Sequence, residues 1–353
     1  MINSLRLQHF RSYTDDSFEF EPGVNIIVGP NGSGKTNLLE AVLAVAAGSS
    51  YRVADQDMLE FNSPWARLDA VADGVNRTVK IVSDNGRVSK SYIFDDKPYK
   101  LLTPSHTLPV VLFEPNHLYL LHGQPDLRRA YLDTLLEQTL PEFKSLRRRY
   151  KRALAQRNAL LKSHKRPGKE QLFIWNLRLS ELGGAIVMAR TQLITGLQEV
   201  LPKLYNKIAG NKKTKVSIKY LSKLPPDNYE TMLLKALDKS YDQDVLRGFT
   251  AYGPHRDDFV ILYEDRPAAQ AASRGETRSA LLALKIFELQ LLEKLHGQKP
   301  LLLLDDVFSE LDGKRRHSLA GFLQTHQTFI TTTDADLVLD EHMKPANIIP
   351  INT

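Results

Sequence analysis

Residues 29–36 have the types and spacing needed to bind the phosphate chain of a nucleotide. Their sequence, Gly29-Pro30-Asn31-Gly32-Ser33-Gly34-Lys35-Thr36, matches the G-x-x-x-x-G-K-[ST] phosphate-binding loop at every fixed position. Glycines let successive backbone N–H groups converge on the phosphates, and a following helix directs its positive end at the same anion. We expect Lys35 to reach the β- and γ-phosphates and the Thr36 hydroxyl to ligate Mg²⁺. The predicted cofactors are therefore ATP and Mg²⁺, and the adjoining Asn37 is assigned to the nucleotide site as well.

An apolar run that ends in two acids offers the carboxylates that such a site needs. Residues 301–306 read Leu-Leu-Leu-Leu-Asp-Asp, which places Asp305 and Asp306 at the carboxyl end of a buried strand, where α/β sheets bind ligands. This resembles a Walker B element, in which Asp305 would hold Mg²⁺ and Asp306 would orient or deprotonate the attacking water. Many strands end in acidic turns, so the interpretation depends on the phosphate loop in the same chain. Lys35, Asp305 and Asp306 are the predicted catalytic residues.

The flanking sequence predicts the elements that must position these residues. Three short strands are expected before the phosphate loop and a helix at 37–47 after it, which gives the order strand, loop, helix. Alternating runs broken by Asp-Gly and Asn-Gly turns predict an antiparallel sheet at 66–99. Helical periodicity continues from 125 to about 209, with interruptions expected near 167 and at Pro202. The remaining expected elements are strands at 108–113, 301–304 and 329–331, and helices at 273–295 and 314–324.

Composition excludes several classes of protein. The chain has 353 residues, which corresponds to about two domains, and its 42% apolar and 25% charged residues are typical of a globular protein. It contains no cysteine, which excludes disulfides, thiol catalysis and cysteine-ligated zinc within it. The longest uninterrupted apolar run, 41–47, is far shorter than the ~20 residues of a membrane span. The first residues lack the pattern of a secretion signal. Together with the absence of cysteine this fits a cytoplasmic setting, and no membrane is expected as a partner.

Two strongly basic blocks lie in the middle of the chain. Residues 141–171 contain eleven basic residues and two acids, and residues 203–223 contain seven lysines and no acid. Such runs are usually solvated faces, but lysine and arginine contacts to phosphates also supply most of the non-specific affinity for DNA. The sequence ranks neither block above the other. The residues assigned to DNA contact are Arg147, Arg148, Arg149, Lys151 and Arg152.

A third motif precedes the predicted helix at 273–295. Ser273 and Glu276 have the spacing of a capping box, in which each side chain satisfies a backbone N–H group of the helix start. The same exposed helix N-terminus could bind an anion, and it lies about 28 residues before the acidic pair, where ABC-type ATPases carry their signature motif. The two interpretations are compatible. The signature residues are Ser273, Arg274, Gly275 and Glu276.

From end to end, the chain resembles the RecF family of bacterial recombination mediators, which are SMC-like ABC-type ATPases. The segments that carry this resemblance are 5–13, 29–36, 118–133, 253–258, 273–276 and 304–312. The resemblance implies an α/β fold: an ABC-type P-loop ATPase head with an antiparallel β subdomain and an inserted helical lobe. In the predicted organisation, 1–125 is the N-terminal half of the head, 126–250 is the basic helical insert and 251–353 is the C-terminal half of the head.

The resemblance also implies how such a protein acts. The signature of a second copy would close over the γ-phosphate bound to the first, so ATP would hold a homodimer together, and slow hydrolysis would reset it. Ser309 and Asp312 correspond to the D-loop, which contacts the partner subunit, and Arg11 matches an early arginine that approaches the nucleotide. The implied role is to bind gapped or single-stranded DNA and to help load RecA with RecO and RecR, within the SOS response. A weak, DNA-stimulated ATPase is expected.

Several positions depart from the pattern of transporter ATPases. Asp306 stands where they have glutamate, Arg274 and Glu276 stand where they have glycine and glutamine, and 331–334 replaces the switch histidine. At the glutamine-loop position no glutamine is present, and Glu114 is the candidate there. One alternative is a transporter ATPase subunit, which predicts a membrane partner. It also predicts that the two phosphate-site motifs lie about half as far apart in the chain as the 269 positions that separate Thr36 from Asp305. Another alternative is a scaffold that binds ATP without turnover.

Overall fold

The computed structural model describes residues 1–48, 50, 52–163, 166–210, 213–308, 311–334 and 346–351. The chain forms two compact units: Met1–His117 together with Glu288–Thr353, and Leu118–Phe287. The second unit is longer than the predicted insert of 126–250. It extends beyond 250 because a strand at 258–263 pairs with a strand at 216–221 and so belongs to the same body.

The first unit contains two sheets. Its described strands are β1 (Ile2–Phe10), β2 (Tyr13–Glu19), β3 (Val24–Val28), β4 (Trp65–Ala72), β5 (Val75–Asp84), β6 (Arg87–Phe94), β7 (Lys97–Tyr99), β8 (Val110–Phe113), β12 (Leu301–Asp305), β13 (Thr328–Thr332) and β14 (Ala346–Pro350); β9 to β11 lie in the second unit. An antiparallel sheet has the order β2-β1-β4-β5-β6-β7, and a parallel sheet has the order β14-β3-β13-β12-β8. The predicted antiparallel sheet at 66–99 is thereby confirmed, and β1 and β2 extend it.

Helix α1 (Lys35–Ala47) packs against both sheets. Its side chains from Leu38 to Ala46 are buried, which is the pattern of a helix covered on all sides. They join one core cluster with apolar residues of the antiparallel strands and of the parallel strands. The buried strand positions include Val79, Ile81 and Phe94. Because α1 begins at the last residues of the phosphate loop, this packing fixes the loop from behind.

The second unit combines helices with a small antiparallel sheet. Its described helices are α2 (Tyr119–His122), α3 (Pro125–Thr139), α4 (Phe143–Leu161), α5 (Lys169–Ala209), α6 (Tyr229–Lys239), α7 (Tyr241–Arg247) and α8 (Ala268–Ala271). Its strands are β9 (Val216–Leu221), β10 (Asp258–Tyr263) and β11 (Arg266–Pro267), in the order β11-β10-β9. Helix α9 (Arg274–His296) contributes residues to both units, and α10 (Gly313–Leu323) belongs to the first.

Two sequence expectations about the lobe were wrong. The predicted break at Pro202 does not occur, since α5 runs through it, with Leu201 and Tyr205 buried on either side. The packing of those side chains outweighs the backbone hydrogen bond that proline removes. The predicted insert is also not purely helical, because β9 lies within it and pairs with β10.

Helix α5 is long and apolar enough to cross a membrane by length and composition alone, with a mean hydropathy of 1.3 in its most apolar window. Half of that window is buried inside the protein, where α5 packs against α4, α6 and β9. Core helices pass the same test, so this is weak evidence for a membrane span. The sequence had predicted no such segment, because it contains no long uninterrupted apolar run.

Candidate nucleotide site

The predicted nucleotide residues meet at the carboxyl edge of the parallel sheet. The phosphate loop follows β3, the acidic pair ends β12, and Thr331 lies near the end of the intervening β13. The register pairs Asp305 with Thr331 and Thr332 with Val28. Since all of these strands run parallel, their carboxyl ends place side chains from distant parts of the chain at one edge.

Glycines in the phosphate loop occupy positions that no other residue fits without strain. Gly32 and Gly34 have φ values of 85° and 100°, in the left-handed region. A Cβ atom at Gly34 would lie 2.7 Å from Ser12 Oγ, and one at Gly29 would lie 2.5 Å from the carbonyl oxygen of Ile351. The loop therefore curls tightly at the N-terminus of α1, which is the cradle that a phosphate group requires.

Lys35 folds back over the loop. Its side chain is buried, and Nζ donates hydrogen bonds to the carbonyl oxygens of Gly29, at 2.7 Å, and Pro30, at 2.8 Å. Burial lowers the pKa of the Lys35 ammonium, and the nearby carboxylates of Asp306 and Asp305 oppose this effect. The ammonium group thus already lies at the mouth of the cradle, where it can exchange carbonyl oxygens for phosphate oxygens.

Thr36 and Asp305 fit a Mg²⁺ ion that also binds nucleotide phosphates. Thr36 Oγ1 donates to Asp305 Oδ1 at 2.9 Å, so the two predicted ligands lie side by side. Mg²⁺ is usually held by one or two protein oxygens together with phosphates and water. Among the described residues no group of three or more histidines and acids could hold a metal ion elsewhere.

Thr331 was not assigned individually from the sequence, although it lies in the segment 331–334 that replaces the switch histidine. Its hydroxyl donates to Asp305 Oδ1 at 2.8 Å and accepts the backbone N–H of Asp306 at 2.9 Å. Thr332 instead accepts the N–H of Asp334 within the segment. Asp306 itself is exposed and has a φ of 51°. Thr331 therefore fixes both carboxylate residues at the edge of the sheet.

Glu114 follows β8 at the same edge of the sheet. Its backbone N–H donates to His117 Nδ1 at 3.2 Å, and its carboxylate lies 3.8 Å from His117 Nε2. Leu304 of β12 is paired with Phe113, so Glu114 comes one position after the paired end of β8. The glutamine-loop position is thus occupied by an acid beside a histidine.

Arg11 lies in the turn between β1 and β2 and is tied to α1. Its Nε donates to Glu40 Oε2 at 3.1 Å, and its Nη1 donates to the carbonyl oxygen of Asp57 at 2.8 Å. Glu40 is fully buried and also accepts the hydroxyl of Ser50 at 2.6 Å. The sequence reasoning missed Glu40, although a lone acid within the apolar segment 37–47 is a usable signal.

The residues after Arg11 hold the phosphate loop from the side. Tyr13 donates its hydroxyl proton to the carbonyl oxygen of Gly34 at 3.0 Å, and Asn37 Nδ2 donates to Ser12 Oγ at 2.9 Å. A cleft of about 680 Å³ opens beside them, lined by Arg11, Asn37 and residues of the segment 56–63. Ser12 and Tyr13 are further residues that the sequence reasoning did not assign to the site.

The signature residues lie in the second unit, at the start of α9. The N–H of Ser273 donates to Glu276 Oε2 at 2.8 Å, and the N–H of Glu276 donates to Ser273 Oγ at 3.3 Å, which confirms the capping box. The Tyr263 hydroxyl donates to the other carboxylate oxygen of Glu276. Burial, and then this hydrogen bond, raise the pKa of Tyr263. Ser273 and Arg274 remain exposed at the helix start.

The other predicted site residues are placed as follows. Asp312 caps α10, since its Oδ1 accepts the backbone N–H of Arg315 at 3.0 Å. Ser309, the other D-loop residue, lies outside the described residues. Of the residues assigned to DNA contact, Arg147 pairs with Asp133 and Glu137 within the second unit. The other four residues assigned to DNA contact are exposed on α4: Arg148, Arg149, Lys151 and Arg152.

Comparison with known proteins identifies the family. The family model of the RecF/RecN/SMC N terminal domain matches residues 1–348. The DNA replication and repair protein RecF of Heliobacterium modesticaldum is 34% identical over 364 residues, which cover 99% of this chain and 97% of that protein. The chain belongs to the RecF family. The RecF of Streptococcus suis is 35% identical over 343 residues, with 95% of this chain and 93% of that protein covered.

Solved structures agree with this assignment. A structure of the recombination mediator protein RecF-ATPrS in the RecFOR pathway superposes with a TM-score of 0.88 at 29% identity, covering 100% of this chain and 96% of that one. The corresponding RecF-ATP structure gives a TM-score of 0.84 at 30% identity, with 94% and 92% covered. An Smc head bound to a domain of ScpA gives a TM-score of 0.55 at 16% identity, which shows a shared fold alone.

These comparisons confirm the predicted family and fold class. The fold is that of an ABC-type ATPase head as found in RecF and SMC proteins, with an antiparallel β subdomain and an inserted lobe. RecF relatives that match nearly the whole chain leave the transporter-subunit alternative without support.

Proposed function

We propose that this chain is an ATP-binding recombination mediator that works on DNA. The hydrogen bond between Thr36 and Asp305 carries the proposal, because it joins two phosphate-site motifs that are 269 positions apart in the chain. The similar proteins support the same role, since they are replication and repair proteins and a recombination mediator whose structures include an ATP form. The chain is proposed to act in the cytoplasm.

In the proposed nucleotide complex, different groups of the chain bind the phosphates, hold Mg²⁺ and position the acidic residues. The N–H groups of the loop and the start of α1 bind the phosphates, and Lys35 turns from the loop carbonyls to the phosphate oxygens. Thr36 and Asp305 would hold Mg²⁺, which neutralises phosphate charge when it is bound. Thr331 keeps Asp305 and Asp306 in place through its two hydrogen bonds. Arg11, fixed by Glu40, lies beside Asn37 at the edge of the cleft.

Hydrolysis is proposed to be slow. Asp306 is the residue placed to orient or deprotonate the attacking water, and its side chain is one methylene shorter than the glutamate of transporter ATPases. A shorter carboxylate holds the water less favourably, because proton transfer depends on hydrogen-bond reach. Slow hydrolysis that DNA stimulates would then set how long the ATP-bound dimer persists before it dissociates.

The dimer is proposed to form around ATP. The exposed N-terminus of α9, with Ser273, Arg274 and Gly275, would bind the γ-phosphate held by the other copy, since a helix N-terminus attracts anions. Its capping box already holds this end of the helix in shape. Asp312 and Ser309 are proposed to contact the partner as a D-loop.

The DNA substrate is proposed to be gapped or single-stranded. The basic residues of the second unit would bind its phosphates without reading bases, because contacts to the backbone carry no sequence information. RecO and RecR are the proposed protein partners, with RecA loaded as a consequence and the SOS response as the setting. One of the similar solved structures is that of a recombination mediator in the RecFOR pathway, which supports this choice.

Equilibrium titration with a fluorescent ATP analogue tests the nucleotide site. Lys35→Ala should weaken binding by about tenfold or more with or without Mg²⁺, since a charged hydrogen bond contributes about 1.5–3 kcal/mol. Asp305→Ala should remove most of the dependence of binding on Mg²⁺. Lys97→Ala, an exposed lysine on β7, is the matched control and should bind as the wild type does.

Two outcomes would change the proposal. Equal ATP affinity in the wild type and in Lys35→Ala would contradict the assignment of the phosphate loop. Tight ATP binding with no phosphate release over many hours, even with gapped DNA, would favour the alternative of a scaffold without turnover.

A further inference from the structure

The segment 253–258, Gly-Pro-His-Arg-Asp-Asp, is not used by the nucleotide site described above, and it is held by buried polar groups of the second unit. His255 Nδ1 lies 2.7 Å from the Tyr150 hydroxyl. Tyr220 and Tyr229 both donate to Asp257 Oδ2, at 3.0 and 3.2 Å. These hydrogen bonds tie the segment to α4, to β9 and to the start of α6.

The backbone of the same segment is also fixed. Gly253 has a φ of 132°, and a Cβ atom there would lie 2.5 Å from the Tyr150 hydroxyl oxygen. Arg190 donates to the carbonyl oxygen of Pro254, and Arg129 donates to that of Asp257, both at 2.7 Å. The segment therefore presents its one exposed arginine from a rigid backbone.

That exposed arginine is Arg256. Its guanidinium carbon lies 4.8 Å from the centroid of the Phe249 ring, and it forms no ion pair with any residue that the structure describes. An aromatic ring holds a guanidinium by cation–π attraction and leaves its N–H donors available. Arg256 is thus oriented and charged, with no carboxylate paired to it among the residues that the structure describes.

A second cation is held in the same way nearby. Lys223 Nζ lies 5.4 Å from the centroid of the Tyr252 ring, and it too has no ion pair within the described part of the chain. In the β9–β10 register Leu221 is opposite Asp258. Lys223 comes two residues after Leu221, and Arg256 comes two residues before Asp258. Because the two strands are antiparallel, both cations lie beyond the same end of the β9–β10 pair. Their two rings both come from the short segment 249–252.

The basic row continues along β9. Val216 and Ile218 are buried on the face that packs against α5, so the alternate residues of the strand face outward. Lys219 is one of these outward residues, and Lys223 follows two residues after the end of the strand at Leu221. No acid occurs anywhere from 203 to 223.

We propose that Arg256 and Lys223, held by the rings of Phe249 and Tyr252, form together with the nearby Lys219 the surface that binds the phosphate backbone of DNA. The inference rests on the proposed DNA-binding function and names its site. The proposed contacts are to phosphate oxygens, and such contacts carry no sequence information. Fixing a cation in advance reduces the conformational entropy that is lost on binding.

This surface is a better candidate than α4, which carries the residues assigned from the sequence. Arg147 is engaged by Asp133 and Glu137. The exposed cations of α4, Arg148 to Arg152, have no aromatic support among the described residues, and each would lose side-chain freedom on binding.

The salt dependence of DNA binding tests the proposal. Affinity for a fluorescent gapped duplex is measured by anisotropy between 50 and 400 mM salt, with ATP and Mg²⁺ present. Each phosphate contact contributes about 0.9 to the slope of log K against log salt. Lys223→Ala and Arg256→Ala should each lower this slope by about 1 and weaken binding about tenfold at 50 mM salt, whereas a purely structural role leaves the slope unchanged.

Two control variants sharpen the comparison. Lys215→Ala removes a lysine directly before the same strand that is already paired with Asp265, so it should leave the slope unchanged. The double variant Arg148→Ala/Lys151→Ala removes two cations of α4 and should have a smaller effect than Lys223→Ala/Arg256→Ala. ATP binding should be the same in all of these variants, because the nucleotide site lies in the first unit and the substitutions lie in the second. An unchanged midpoint of urea unfolding shows that the variants fold.

The possible outcomes separate this inference from the proposed function. If the wild type binds the gapped duplex and Lys223→Ala/Arg256→Ala keeps the wild-type slope, the surface is wrong and the DNA-binding function stands. A loss of slope confined to the α4 variant would likewise overturn the surface. If the wild type binds no DNA with ATP present, the DNA-binding function and the surface fail together.

Discussion

A methyl group added at Gly34 should disrupt the phosphate loop more than one added at Gly32. Both glycines have positive φ values, 100° and 85°, which cost an L-residue about 1–2 kcal/mol. At Gly32 no atom lies within 4 Å of the added Cβ. At Gly34 the Cβ would lie 2.7 Å from Ser12 Oγ and 3.1 Å from the Tyr13 hydroxyl, and overpacking of this kind adds about 1–3 kcal/mol.

The expected loss of stability is therefore about 2–5 kcal/mol for Gly34→Ala and about 1–2 kcal/mol for Gly32→Ala. Urea unfolding of the nucleotide-free protein measures both values. Adding Ser12→Ala to Gly34→Ala removes the closest contact and should recover about 1 kcal/mol or more, since the two changes meet at one point. Equal destabilisation by the two glycine variants, or no recovery in the double variant, would refute the packing described for this loop.

Three further predictions concern other parts of the molecule. Burial lowers the pKa of His255 to about 4 from 6.5. The contribution of neutral His255 to the free energy of unfolding is therefore fully present above pH 6.5 and is lost as the pH falls toward 4, by at most about 3 kcal/mol. Urea unfolding at pH 7.5 and 4.5 should show a smaller difference in that free energy for His255→Gln than for the wild type. Arg157 and Asp244 form a fully buried ion pair, so Arg157→Met should cost about 3–5 kcal/mol. Adding Asp244→Leu should recover only part of it in the same assay, because Ser240 and the N–H of Ala251 then lose their acceptor. Thr331→Val removes a hydrogen bond to Asp305 and should slow phosphate release about tenfold while ATP binding is retained.

The phosphate loop and its strand and helix could be predicted because their residues are contiguous. All fixed positions of the motif lie within 29–36, and the packing of α1 follows from an apolar segment directly after it. The acidic pair could be predicted for the same reason, since its strand is a short apolar run.

Contacts between distant segments could not be predicted in this way. Thr331 joins the site only because β13 lies between β3 and β12 with Thr331 opposite Asp305, and a sequence does not show that register. The role of Ser12 and Tyr13 depends on the close approach of the β1–β2 turn to Gly34. Nothing local in those residues indicates a phosphate loop.

Local signals were also overruled or missed. Proline predicts a helix break, but tertiary packing on both sides of Pro202 keeps α5 continuous. Strand β9 begins with alternating buried and less buried residues, a period-two signal that lies within a lysine-rich segment. That same alternation places Lys219 on the outer face of the sheet.

Sedimentation velocity with and without ATP and Mg²⁺ tests the central claim most directly, that nucleotide at the phosphate loop brings two copies of the chain together. The wild type should sediment as a monomer without nucleotide and as a dimer with it, whereas Lys35→Ala should stay monomeric in both conditions. Because the signature is proposed to act on the other copy, labelled Lys35→Ala should enter a dimer with unlabelled Ser273→Arg, although neither variant dimerises alone. A wild type that sediments identically with and without ATP would contradict the account.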